Sequence, residues 1–143
     1  MSRPTDRFSH SIRVGWADCD PAWIAYTGRI PYWALESIDA WWQHQFGKDV
    51  YALNQDRNFG TPFVHLSMDF SSPVTPRHRL ECEVRLAKFG RTSVTFRVTG
   101  RQDGRLCFAG TFVTVLVDAA HFKSAPPPED IRAKLEALVD PED

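Results

Sequence analysis

Long apolar runs are missing from this sequence. No stretch approaches the roughly 20 residues that a bilayer-spanning helix needs, which argues against a membrane partner. The start, Met1 to Arg7, lacks the apolar core of a secretory signal. Cysteine is scarce: Cys19, Cys82 and Cys107 form no CxxC pair, and no CxxC…HxxxH pattern follows them. That excludes a disulfide framework and a structural zinc site, so no metal is expected and the chain reads as cytoplasmic, in a reducing compartment. Charge of one sign is also lacking. Seventeen Lys and Arg against eighteen Asp and Glu leave a net charge of -1, with none of the basic excess that nucleic-acid binding requires. A local cationic spot for a phosphorylated ligand stays open. There is no G-x-S-x-G elbow, and His10, His44, His65, His78 and His121 stand at no triad or metal spacing.

What the chain has is apolar and aromatic: 43% hydrophobic residues, 13% aromatics and five tryptophans, enough for the core of one domain spanning 1–143. Segments 1–7 and 124–143 read as peripheral. Phe8, His10, Ile12, Val14 and Trp16 alternate with polar residues and predict a strand. Asp18 to Pro21 breaks it, because Pro21 keeps Asp20 out of the helical region. From Gly28 to Phe46, Trp33, Ile38, Trp41, Trp42 and Phe46 recur at helical steps, with Pro31 tolerable in the first turn and Gly47 as a stop.

Lys48 to Gly60 reads as an irregular connection. Strand patterns follow at Phe63–Ser71, Leu80–Leu86, Thr92–Val98 and Leu106–Val117. In the second of these Glu81, Glu83 and Arg85 point outward. Asp103-Gly104 marks a tight hairpin. Behind the stiff Pro126-Pro127-Pro128, Ile131, Leu135 and Leu138 predict a short helix. The order is strand, long helix, four antiparallel strands and a small C-terminal helix. Five strands bury a tryptophan-rich helix only by wrapping round it, an α+β layout.

The residues densest in chemistry lie between the first strand and the long helix, at Trp16-Ala17-Asp18-Cys19-Asp20-Pro21-Ala22-Trp23-Ile24-Ala25-Tyr26-Thr27-Gly28-Arg29. Asp20, taken alone, reads as a turn or N-cap carboxylate. Asp18 reads as structural, since a turning chain does not keep i and i+2 on one face. Cys19, flanked by carboxylates, reads as a packing residue rather than a nucleophile.

Asp18-Cys19-Asp20-Pro21-Ala22 with Ile24-Ala25-Tyr26 resembles the nucleophile-turn motif of hotdog-fold acyl-CoA thioesterases, most closely the 4-hydroxybenzoyl-CoA thioesterase type. The resemblance continues at Gly60-Thr61-Pro62-Phe63-Val64, at Phe89-Gly90-Arg91-Thr92-Ser93 and at Asp103-Gly104, and covers nearly the whole chain. It implies a hotdog fold: a five-stranded antiparallel sheet wrapped around the long helix. It implies that Asp20 acts on a thioester carbonyl, as nucleophile or as general base for water. The backbone N–H groups of Thr27 and Gly28, at the positive end of the helix, would polarise that carbonyl.

The resemblance further implies that Lys88 and Arg91 contact the phosphates of coenzyme A, with Thr61, Ser93, Trp23 and Tyr26 as further substrate contacts. Coenzyme A enters only as part of the substrate, and no cofactor is implied. The family builds its sites at a dimer interface, so a homodimer is expected, with dimers able to pair into a tetramer. Two departures stand out. The family usually has glycine at the position of Trp23, which then lines either the acyl pocket or an interface, and it commonly has tyrosine at that of Ile30. Carrier-protein thioesters, or acyl-CoA binding without turnover, are the competing readings. A hydratase lacks its histidine, since none follows Asp20 before His44.

Overall fold

Helix α1 (Arg29–Phe46) is the element on which the rest packs. A computed structural model describes residues 7–141. Ile30, Trp33, Ala34, Ile38, Trp41 and Trp42 are buried along one side of the helix. That side faces β1 (Phe8–Ile12), β4 (Leu80–Phe89) and β5 (Ser93–Gln102). The ring of Trp41 stands edge-on to Phe96 of β5 at 5.0 Å. Each such buried side chain contributes roughly 1.5–3 kcal/mol. Pro31 lies in the first turn, and Gly47 ends the helix at φ 75°, a left-handed conformation that suits glycine.

The main sheet runs in the order β1-β4-β5-β6-β3, with β6 at Arg105–Val115 and β3 at Phe63–Phe70. Every pairing is antiparallel. Asp103 and Gly104 both have positive φ, 52° and 78°, the conformation their dipeptide favours in a two-residue hairpin turn. The expected α+β hotdog arrangement, one antiparallel sheet against a long helix with a small helix at the C-terminal end, is the arrangement observed.

Several local expectations are corrected. The first strand stops at Ile12, and Trp16 lies 80% exposed. Beyond Val14, the Gly15 N–H donates to Asp18 Oδ2 at 2.7 Å and the Asp18 N–H to the Gly15 carbonyl at 3.1 Å. The chain therefore rolls into a 3-10 turn at Trp16–Asp18.

The connection 48–60 contains α2 (Val50–Arg57), capped by Asp49, whose side chain accepts from the Ala52 N–H at 2.8 Å. Leu53 is its one buried residue, too little to leave a helical period in the sequence. The last long apolar run divides after Val115. A second, three-stranded sheet forms from β2 (Phe59–Gly60), β7 (Val117–Asp118) and β8 (Lys123–Ser124).

The strand β3 alternates as expected but buries neither face. Phe63, Val64, Leu66 and Phe70 are all exposed, because β3 is an edge strand beyond the cover of α1. Arg85 shows the reverse. Its outward position is only 6% exposed, because the chain after α3 (Glu129–Leu138) crosses over it. Arg85 Nη1 donates to the Asp140 carbonyl at 2.5 Å, and the Asp140 N–H donates to the Leu86 carbonyl at 2.7 Å. Within α3, Ile131 and Leu135 reach the core.

Candidate active site

The turn between the 3-10 segment and α1 is fixed by main-chain bonds. Cys19 and Ala25 form an antiparallel bridge. Around it the Asp20 N–H donates to the Ile24 carbonyl at 3.0 Å, and the Tyr26 N–H to the Asp18 carbonyl at 2.9 Å. At the tip, the Trp23 N–H donates to the Asp20 carbonyl at 2.9 Å, with Trp23 at φ 68°. The Ala25 N–H ties the turn to the Val74 carbonyl at 2.7 Å.

These bonds hold Asp20 half-buried at the wall of an open cleft of about 640 Å³. The cleft is lined by Ala17, Asp18, Asp20, Tyr26, Gly28 and Tyr32, among others. One oxygen of Asp20, Oδ1, accepts the Ala22 N–H at 2.9 Å. Among the described residues the other oxygen meets no donor. A carboxylate anchored by one oxygen and open at the other can attack a carbonyl or take a proton from water.

Donors stand close in the chain. The cap of α1, Gly28, makes no side-chain capping bond. Arg29 N–H donates to the Tyr26 carbonyl at 2.9 Å and Ile30 N–H to that of Thr27 at 3.1 Å. The N–H groups of Thr27 and Gly28 meet no acceptor among the described residues, as expected of a helix start. The Tyr26 N–H is not open: it donates to the Asp18 carbonyl. A Cβ on Gly28 would sit 2.6 Å from the ring of Tyr26, so its glycine makes room for that ring rather than for an unusual φ.

Asp18 is scaffold. Its carboxylate takes the Gly15 N–H through one oxygen and Arg29 Nε, at 3.2 Å, through the other. Cys19 is a free thiol, half-buried, whose Sγ lies 3.7 Å from the Gly15 carbonyl. Arg29 and Tyr32 line the cleft and were not anticipated. Their spacing, three residues apart in the first turn of the helix that follows the Asp18–Pro21 turn, was the available signal.

The remaining anticipated contacts lie elsewhere. Trp23 is 78% exposed and lines a separate concavity. Thr61, Lys88, Arg91 and Ser93 gather at the other end of the sheet. There β3 begins opposite Thr114, β5 begins opposite Val115, and the Thr92 carbonyl accepts the Leu116 N–H at 2.6 Å. The turn of Asp20 is tied to Val74, beyond the end of β3. The eight residues of strand Phe63–Phe70 separate the two groups, about 23 Å along the strand. Within one chain the structure does not bring them together.

Histidine plays no part in the cleft. His10 pairs with Glu36 at 2.9 Å. His121 has its Nδ1 3.0 Å from Asp118 Oδ2, a bond that holds the Asp118 carboxyl below the usual carboxylate range. Neither lines the cleft. Among the described residues no three His, Cys, Asp or Glu side chains gather as a metal site requires, and no helix is long and apolar enough to cross a membrane.

A carboxylate turn ahead of a buried central helix, on a five-stranded antiparallel sheet, defines a class. The chain belongs to the thioesterase-like superfamily, whose family model matches residues 14–135. It is similar to a thioesterase-superfamily protein from Jannaschia sp. CCS1, at 51% identity over 98% of each chain and a TM-score of 0.91. Two more distant structures share the fold. A 1,4-dihydroxy-2-naphthoyl-CoA thioesterase from Synechocystis has 20% identity and a TM-score of 0.80, over 92% of this chain and 96% of that one. A gentisyl-coenzyme A thioesterase has 20% identity and a TM-score of 0.78, over 90% and 99%. No curated protein matches the chain.

Proposed function

We propose that the protein hydrolyses an acyl-CoA, with an aromatic or a short-to-medium acyl group, to the free acid and coenzyme A. The observation that carries this reading is the Asp20 carboxylate. It is anchored through Oδ1, open through its other oxygen, and faces a cleft that also takes in Gly28 at the start of α1. Asp20 either attacks the thioester carbonyl, forming an anhydride that water then opens, or draws a proton from the water that attacks. Either way the C–S bond breaks, the thiolate leaves with the electron pair and takes up a proton, and the acid carries one oxygen of water. The N–H groups of Thr27 and Gly28 stabilise the oxyanion from the positive end of the helix. The chemistry needs no metal or redox cofactor.

Lys88, Arg91, Thr61 and Ser93 are proposed to bind the coenzyme A portion, and the arginine suits bidentate phosphate contact. Their distance from Asp20 supports a homodimer. Pairing two β3 edges antiparallel across a two-fold axis sets the start of one β3 beside the end of the other. One chain's Asp20 turn then meets the partner's phosphate-binding end, and the exposed apolar side chains of β3 are covered. Two such dimers pairing into a tetramer is the further expectation. Three free thiols suit a reducing cytoplasm. The aromatic acyl-CoA esters named for the two distant structures, and the resemblance to the 4-hydroxybenzoyl-CoA type, support an aromatic acyl group.

The test is thiol release from a panel of aromatic, short and long acyl-CoA and carrier-protein thioesters. Asp20→Asn is expected to lower turnover at least 100-fold while substrate still binds. Unchanged turnover in the variant removes Asp20 from the chemistry. Tight acyl-CoA binding with no thiol release by the native protein makes the chain a binding protein.

A further inference from the structure

The main sheet turns one face away from α1, and that face carries an open concavity of about 700 Å³. Phe96 and Val98 of β5 are buried on the side of α1, with Phe96 against Trp41. Strand alternation therefore sends Arg97, Thr99 and Arg101 to the other side. Arg7, Glu83, Arg85 and Thr111 line the concavity with them. Four guanidiniums and two hydroxyls thus meet a single carboxylate in its walls.

The strand register puts like charges face to face. Arg97 stands directly opposite Arg85 of β4 on one side and Thr111 of β6 on the other. Like charges in that relation destabilise a sheet. The carboxylates within reach are committed elsewhere. Glu83 and Asp140 both meet Arg7, at 3.6 and 2.6 Å. Glu81, opposite Arg101, accepts the Ser11 hydroxyl at 2.8 Å. Arg97 Nη1 donates to Thr111 Oγ1 at 2.5 Å, a neutral partner. Neither Arg97 nor Arg101 meets a carboxylate among the described residues.

An anion in the concavity relieves that repulsion. Arginine forks and threonine hydroxyls are the donors that phosphate oxygens accept. Arg97 and Arg101 stand four strand residues apart, about 13 Å along β5. Positive charge spread over that length suits two phosphate groups rather than one. We infer that this face of the sheet binds a small anion with two phosphate groups, through Arg97, Arg101, Thr99 and Thr111. A free diphosphate and the phosphates of a nucleotide share that chemistry. The concavity shares no lining residue with the cleft of Asp20, and the inference stands apart from the thioesterase reading.

The experiment is calorimetric titration of the full-length protein with inorganic phosphate, diphosphate and adenosine 3′,5′-bisphosphate. Diphosphate or the bisphosphate is expected to bind at least tenfold more tightly than phosphate. Arg97→Gln and Arg101→Gln should each weaken that binding about tenfold. Arg101 is exposed, so its substitution leaves the core intact. Arg97→Lys keeps the charge without the fork and should weaken binding less, about threefold. Arg91→Gln, at the other end of β5, should leave it unchanged. A tenfold preference for the bisphosphate over diphosphate assigns the site to a nucleotide, and the reverse preference assigns it to a free diphosphate.

No saturable binding of any probe overturns the inference. Binding that survives Arg97→Gln and Arg101→Gln but falls in Arg91→Gln belongs to the proposed coenzyme A site and also overturns it. So does a native oligomer that either glutamine variant takes apart in sedimentation velocity without any probe, because the arginines then serve a contact between copies. Absence of thioester hydrolysis by the native protein sinks the thioesterase reading and leaves these binding results standing.

Discussion

The main-chain N–H of Trp23 closes onto the carbonyl of Asp20 at 2.9 Å, and the φ of 68° at Trp23 then turns the chain back so that the Ile24 carbonyl accepts the Asp20 N–H at 3.0 Å. The turn that aims the carboxylate is thus bought with strain at the residue that departs from the family's usual glycine. A left-handed conformation costs a non-glycine residue about 1–2 kcal/mol, part of which a glycine returns through its freer unfolded chain. Trp23 is mostly exposed and loses little burial when removed. Trp23→Gly is therefore expected to raise the thermal midpoint by roughly 2–4 °C in a calorimetric scan. A lower midpoint means that the indole packs usefully in the native state, and the strain argument fails.

Gln102 does the corresponding work for the loop that faces the turn. Gln102→Leu leaves the Thr75 N–H and the Thr75 and His78 carbonyls without their partner. Each polar group stranded in this way costs about 1–3 kcal/mol where it is buried and less where water reaches it. The urea midpoint should fall accordingly with the slope unchanged. An unchanged midpoint means that water satisfies these groups and that Gln102 does not hold the loop.

The exposed apolar strand leads to a different measurement. Val64 and Leu66 stand on the open edge strand β3, where two copies of the chain are proposed to meet. Leu66→Lys, combined with Val64→Asp, should yield a monomer in sedimentation velocity. Thiol release should fall by at least 100-fold, since Asp20 and Arg91 of one chain lie at opposite ends of the sheet. A monomer with full activity would falsify the shared site.

Much of the fold was legible because its strongest signals are local. The Trp33–Trp41–Trp42 face, the Pro31 start, the Gly47 stop and the Asp103-Gly104 turn each act through neighbouring residues, and each stands where its pattern pointed. The misses share a cause too. Trp16 continued an alternation by type, but the Gly15–Asp18 bonds had already turned the chain. The short helix α2 buries little besides Leu53, so it left no period to read. Arg85 alternated outward and was covered by a segment more than fifty residues later in the chain. For the site, the motif marked Asp20 and the start of α1. It did not reveal that Trp23 lines a separate concavity, nor that Lys88 and Arg91 lie at the far end of the sheet, because side-chain direction and strand register are set by pairing across the sheet.

Cys82 offers a readout that is independent of catalysis. It is buried on β4 beneath α1, and burial pushes its thiol up from about 9 to about 12, against a smaller opposing effect of the hydrogen bond with Ser37. The folded state therefore keeps the proton where the unfolded chain gives it up. Below pH 9 both states are protonated and the contribution to stability is complete. As pH rises from 9 towards 12 the unfolded thiol ionises alone, and that stability is lost. The urea midpoint should fall over this window, and Cys82→Ala, which removes the titration at the cost of a small cavity, should flatten the fall. In the native protein at neutral pH, Cys82 should resist a thiol reagent that labels it at once in denaturant. Rapid native labelling at Cys82, or an alkaline slope that Cys82→Ala leaves unchanged, shows that the strand opens to solvent or that other groups govern the alkaline loss.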